Sequence, residues 1–220
     1  MTFQTLCPER RHGRGSDTAL ARRIFGTAQP STVSVHPSAC PDRSHVEAFV
    51  EGAYSRAFRG VIRSHYPVLI SLRDGQDSTL AVAGFRFAHR EPLFLEQYLD
   101  QPIEAALLAH FGPVPRDRIV EVGNLAGRRP AASLRLFLAL ARRLQREGAT
   151  HVVATATRQL RRTFWWLGLA PVSLTRAEPS RLADGGVDWG AYYTRDPVVL
   201  AGAIALCLPR LVAVVEEAGL

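Results

Sequence analysis

Residues 119–133, IVEVGNLAGRRPAAS, place one carboxylate, Glu121, inside an apolar run and two arginines, Arg128 and Arg129, directly after it. An unpaired carboxylate is costly to remove from water, so Glu121 has to face a polar cleft or a partner. In a cleft it is open to a ligand. Otherwise it is the structural partner of Arg118 or Arg86. Asn124, on the same run, carries an amide able to orient a substrate. The loop beyond it suits an anion. A helix entered through Pro130 leaves its first N–H groups free, and Leu125, Ala126, Ala131, Ala132 and the Ser133 hydroxyl surround that point. Arg128 and Arg129 add forked donors that match a diphosphate. A surface loop that merely contains arginines is the plainer alternative.

These residues need a strand, a loop and a helix in that order. The run 118–124 reads as a strand. From Ser133 to Glu147, Leu134, Phe137, Leu138, Ala141 and Leu144 keep helical spacing while Arg135, Arg142, Arg143 and Arg146 take the wet side, with Gly148 as the stop. THVVATAT returns as a short buried strand. Gly123 inside the first strand permits a bulge or a close backbone approach. A bulge would splay the strand from its neighbour, and the unpaired backbone would suit an extended amide-bearing ligand such as the pantetheine arm of coenzyme A or of an acyl carrier protein.

The remaining elements are read the same way. Residues 1–30 lack a hydrophobic period and read as a flexible arm, followed by one domain over 31–220. Thr32 to His36 alternate as a strand, and a helix capped by Asp42 or Ser44 runs to Gly60. Two β runs flank Asp74-Gly75-Gln76-Asp77 as a hairpin. A helix interrupted near Pro102 follows. RQLRRTFWWLGL reads as a helix closing at Gly168, and PVSLTRA and WGAYYT as extended pieces. Pro197 to Glu216 reads as an apolar C-terminal helix docked on the sheet. The order implies an α/β fold with a mixed sheet and one parallel strand–helix–strand unit.

Composition narrows the chemistry. The chain has 220 residues, and its net charge of +7 arises without lysine, since all 27 basic residues are arginine. Such a balance fits nucleic acid, an anionic cofactor, an acidic carrier protein or a membrane surface. The arginines are scattered and mixed with acids instead of forming one basic stripe, which argues against nucleic acid. Cys7, Cys40 and Cys207 have neither zinc nor disulfide spacing, which points to a reducing cytoplasmic setting, and no signal peptide opens the chain. The histidines show no metal-ligand spacing, so no metal is expected. No Gly-x-Ser-x-Gly elbow is present.

The strand, phosphate loop, helix, strand, and a helix ending in Thr163-Phe164-Trp165-Trp166-Leu167-Gly168-Leu169 together resemble the GNAT N-acyltransferase superfamily. More narrowly, EPLFLEQYLDQPIE, EVGNLA, TFWWLGLAP and WGAYYTRDPVVLAGAI resemble the family labelled thermostable hemolysin, over about Val33 to Ile204. The resemblance implies a GNAT-like single domain with a mostly antiparallel sheet, a splayed parallel strand pair and flanking helices. It implies transfer of an acyl group from acyl-CoA, or from the acyl-phosphopantetheine of an acyl carrier protein, to an amine.

The Glu121-Val122-Gly123-Asn124 block is similar to the Glu-x-Ser-Arg block of acyl-homoserine-lactone synthases, with asparagine replacing arginine. Gly84-Phe85-Arg86 is similar to a strand that contributes an arginine near their cleft. In this reading Glu121 is the base for the amine, directly or through water, or the residue that holds the amine; Asn124 orients substrate, and the N–H near Leu125 receives the oxyanion. Ala131 or Ala132 stands where the usual phosphate loop has glycine, and Phe164 replaces the usual catalytic tyrosine. Tyr193, with Tyr192 as the alternative, would then return the proton, and Trp165 and Trp166 would line an acyl tunnel or pack in the core. The family label also admits a membrane-lytic protein. The glycine-poor loop and Phe164 admit a GNAT relative that binds without catalysis.

Overall fold

The computed structural model describes residues 31–220, and the N-terminal arm expected over 1–30 lies outside them. Seven strands form one sheet in the order β1-β2-β3-β4-β5-β7-β6: β1 Ser31–Pro37, β2 Val68–Asp74, β3 Thr79–Phe87, β4 Ile119–Gly127, β5 His151–Ala156, β6 Val172–Arg176 and β7 Val198–Ala203. Every adjacent pair is antiparallel except β4–β5. Among the described residues five α-helices cover it: α1 Ser44–Phe58, α2 Ile103–Phe111, α3 Pro130–Arg146, α4 Arg158–Trp166 and α5 Ile204–Ala218.

Packing puts the helices on both faces. Val46 and Val50 of α1 bury against Leu69 and Val82 of the sheet, and Ile103 and Leu107 of α2 against Val153 and Val199. On the other face Leu136, Leu140 and Leu144 of α3 meet Ile70, Ala83 and Val120, while Leu134 and Leu138 turn to Leu211 and Val215 of α5. Helix α3 therefore serves two cores. Apolar side chains on both faces of the middle strands make them read as continuous hydrophobic runs.

The single parallel pair decides the shape of the cleft. Strands β4 and β5 pair only from Ile119–His151 to Glu121–Val153. Beyond Glu121, β4 continues on β3, and β5 continues on β7 through Ala156–Val198. The two strands diverge there, as a bulge in β4 was expected to require. The register of β3 against β4 shifts between Val82 and Gly84, and Asn124 adopts φ +47°. An extra residue with left-handed backbone bends its strand away from the partner, and asparagine is among the few side chains that tolerate that conformation.

Two sequence-based expectations fail at the C-terminal end. WGAYYT is not a terminal strand: it forms two 3-10 turns, Val187–Trp189 and Tyr193–Arg195. Gly186 and Gly190 take positive φ there, and a Cβ on Gly190 would lie 2.3 Å from the Phe58 carbonyl oxygen, so the backbone packs directly on the end of α1. The missing strand is β7, the first part of the segment read as one apolar helix. A run buried on both faces carries no period, so strand and helix look alike in it. Among the described residues no helix is long and apolar enough to cross a membrane.

Candidate active site

Between the diverging strands lies a cleft of about 400 Å³, walled by Leu125, Ala126 and Gly127 of β4 and by Thr155, Thr157 and Leu160 opposite. One end reaches the start of α3. Arg129 is the extended residue before that helix and Pro130 its first residue, so the Ala131 and Ala132 N–H groups precede the first helical bond, Ser133 N–H to the Arg129 carbonyl at 3.2 Å. Arg128 and Arg129 line this end, and the Arg128 guanidinium rests over the Phe49 ring at 5.5 Å. The Ser133 hydroxyl also lines it, donating weakly to the Arg129 carbonyl at 3.4 Å. Ala132 is buried beneath the loop in the main core.

Behind the cleft is a second hollow of about 120 Å³ lined only by apolar groups and the Cys207 thiol. Leu125 and Phe137 border both spaces. Phe164, in the place of the usual tyrosine, lines this apolar hollow and not the cleft.

Glu121 is 1% exposed and does not line the cleft. Its carboxylate accepts the Phe94 and Leu95 N–H groups at 2.8 and 3.0 Å and faces the Tyr66 hydroxyl. Arg86 Nε is 3.3 Å away, close enough for an ion pair although that N–H is not aimed at the oxygen. Burial pushes the Glu121 carboxyl up from its ordinary value; Arg86, the two backbone N–H groups and Tyr66 oppose the rise. The structural alternative with Arg86 is thus present in the fold, and the pairing with Arg118 is not: Arg118 instead donates to the Gly148 carbonyl at 2.9 Å.

Tyr66 joins the expected residues to one another, although nothing in its sequence neighbourhood singles it out. Its ring lies under the Arg86 guanidinium at 4.3 Å, and its N–H donates to Asn124 Oδ1 at 3.1 Å. Gly84 and Gly123 are cross-strand partners beneath it, and a Cβ on either would come within 2.7 and 2.4 Å of Tyr66 atoms. Gly123 therefore serves close approach, while the left-handed residue of the bulge is its neighbour Asn124. The Asn124 side chain is buried and spent on this contact, away from the cleft lining.

The phenols are also redistributed. Tyr193 Oη shares a hydrogen bond of 2.6 Å with Tyr98 Oη, outside the cleft, because its segment is a 3-10 turn and not an alternating strand. Tyr192 does line the cleft and donates to the Thr155 carbonyl at 3.3 Å. Tyr54 of α1, not singled out from the sequence, stands beside it on the cleft wall, and its hydroxyl faces the Leu125 N–H. Burial pushes the Tyr54 phenol up to about 12, so it keeps its proton at neutral pH. Its place four residues after Val50 and four before Phe58 on the buried stripe was the available signal.

Trp165 and Trp166 are neither tunnel nor core: they are 71% and 69% exposed at the end of α4. Among the described residues no group of three His, Cys, Asp or Glu side chains is disposed to hold a metal.

The fold has known counterparts at low identity. TofI, in a ternary complex with an inhibitor and MTA, is similar over 84% of this chain and 96% of its own, with 17% identity and TM-score 0.54. FeeM, an N-acyl amino acid synthase from uncultured soil microbes, is similar over 80% and 91%, with 12% identity and TM-score 0.56. BjaI, a CoA-dependent acyl-homoserine lactone synthase with SAM and isopentyl-CoA, is similar over 87% and 90%, with 13% identity and TM-score 0.56. At such identities the likeness establishes the GNAT-like fold. No curated protein matches the chain. The family model described as thermostable hemolysin matches residues 36–208, which is most of the sequence, and the chain belongs to that family.

Proposed function

We propose that this protein transfers an acyl group from a coenzyme A or acyl-carrier-protein thioester to an amine. The observation that carries the proposal is the gap between β4 and β5, open beyond Glu121 and ending on the free N–H groups of α3 beside Arg128 and Arg129. A pantetheine arm laid along the unpaired edge of β4 would satisfy its backbone groups as a strand does. Its phosphates would meet the helix N-terminus and the two guanidinium groups. The names of the similar structures, an N-acyl amino acid synthase and a CoA-dependent acyl-homoserine lactone synthase, point the same way.

In this arrangement the thioester carbonyl approaches the Leu125 N–H at the bulge, which stabilises the oxyanion as negative charge develops. The amine nitrogen forms the new C–N bond and the C–S bond breaks. Tyr54, the protonated phenol on the cleft wall, gives its proton to the departing thiolate, and the phenolate takes one back from the attacking nitrogen, so the products are the amide and the free thiol. The acyl tail passes Leu125 and Phe137 into the apolar hollow. Glu121, enclosed by three donors and the Arg86 guanidinium, acts by positioning: it fixes Arg86, Tyr66 and the 3-10 segment Phe94–Tyr98, and through Tyr66 the bulge residue Asn124.

A thermal-shift titration with coenzyme A and a series of acyl-CoAs tests the proposal. Stabilisation by the thioesters, lost in an Arg128→Ala/Arg129→Ala variant whose unliganded Tm is unchanged, is the expected result. No shift with any coenzyme A or carrier-protein thioester overturns it.

A further inference from the structure

Helix α4 presents two unlike faces. Gln159, Leu160 and Thr163 line the cleft, while Trp165 and Trp166 stand in solvent, their rings in T-shaped contact at 5.2 Å. Large apolar side chains this exposed are expected in a folded protein only singly, and a cluster marks an interaction surface. Leu206, 75% exposed in the first turns of α5, belongs to the same flank. Arg210, one turn further along α5, donates from Nε to the Leu167 carbonyl at 2.9 Å, and Phe164, Leu169 and Cys207 line one hollow. The exposed ends of α4 and α5 are thereby held together.

The segment that carries the tryptophans is basic. Residues 157–177 contain no aspartate or glutamate, and Arg158, Arg161 and Arg162 all lie on α4. Arg162 is exposed, and its position three and four residues before the tryptophans puts it on their face of the helix. Arg158 makes only a long contact, 3.6 Å, with Asp196, and Arg161 is spent on that same carboxylate at 2.7 Å.

We propose that Trp165, Trp166 and Leu206, with Arg158 and Arg162 beside them, form a docking surface for an anionic lipid bilayer. Indole rings have an apolar body and a polar N–H edge and settle at the boundary of headgroups and acyl chains. Guanidinium groups pair with lipid phosphates, and the net charge of +7 draws the whole protein to a negative surface. No helix need insert, because the patch lies on helix ends already packed in the fold. This surface is distinct from the cleft and does not depend on the activity proposed for it.

The test is sedimentation of the full chain with vesicles of phosphatidylcholine alone or mixed with phosphatidylglycerol. Tryptophan emission gives a second readout, since Trp189 is the only other indole. Binding to the anionic vesicles, weakened by salt and accompanied by a blue shift, is the expected result. The Trp165→Ala/Trp166→Ala variant should bind at least ten-fold more weakly and lose the shift, and Arg162→Glu should also weaken binding, both with wild-type circular dichroism. Failure of the wild-type chain to bind anionic vesicles, or equal binding by both variants, overturns the proposal. So does finding that the tryptophans instead support self-association of the chain without lipid.

Discussion

Arg86 of β3 and Glu121 of β4 are cross-strand partners, with Nε and Oε2 3.3 Å apart in a site where the carboxylate is almost fully enclosed. The pair is the inner end of a chain of contacts, because the Arg86 guanidinium also stacks on Tyr66 and reaches outward to Glu91 at 3.4 Å. A charge held in this way orders several segments at once.

Removing Glu121 takes the enclosed counter-charge from Arg86 and leaves it only the long outer contact with Glu91. Glu121→Ala is expected to destabilise the fold by about 3–5 kcal/mol in urea denaturation, since a buried partner is lost and two backbone donors are orphaned. Replacing both residues with leucine should cost less than the sum of the single changes. Additive losses would show that the pair is not coupled.

Gly123→Ala tests the approach of Tyr66. The added methyl would lie 2.4 Å from the phenol oxygen, so the ring must move from its place over Arg86. A loss of about 1–3 kcal/mol is expected, with reduced acyl transfer at saturating substrate. Wild-type stability would mean that the ring shifts freely.

Tyr54→Phe deletes the hydroxyl that faces the Leu125 N–H. If this phenol serves the leaving thiolate, kcat should fall about 100-fold or more while the affinity for coenzyme A changes little. The same change in Tyr193, whose hydroxyl is engaged with Tyr98, should leave kcat nearly unaltered. The reverse ranking would return the proton-donor role to Tyr193.

Asp196 provides the pH test. Hydrogen bonds from Arg161 and Arg176 hold its carboxyl down to about 2, against an ordinary value of 3.8. A depressed folded-state pKa means that the stabilisation is complete above the unfolded value and disappears as pH falls through the folded one. The wild-type Tm should therefore drop more steeply between about pH 4 and pH 2 than that of Asp196→Asn, which keeps a side chain suited to the φ of +51°. Parallel curves would remove this carboxylate from the acid response.

The parts legible in the sequence are those with a local signature. The hairpin at Asp74-Gly75, the stripe of α3 and the strand–loop–helix around Arg128 are where their periods and turn residues put them. The parts that were not legible depend on partners distant in the chain. Strand β7 is defined by β5 and β6 on either side of it, and no period separates VVLAGA from the helix that follows. Tyr66 acquires its place from Gly84 and Gly123, two glycines on different strands. The 3-10 turns Val187–Trp189 and Tyr193–Arg195 follow from glycine backbone packed on α1, which residue type alone does not reveal.

Because β7 is laid between β5 and β6, the far wall of the gap is braced from behind by a strand that comes later in the sequence than both of its neighbours. Beyond Val153, β5 has left β4 and takes its backbone pairing from β7 alone, through Ala156–Val198. Strand β7 is thus the brace that keeps the gap wall in place, and changes in 198–203 would be felt first as a slackened wall, at a distance from every residue that lines the loop before α3.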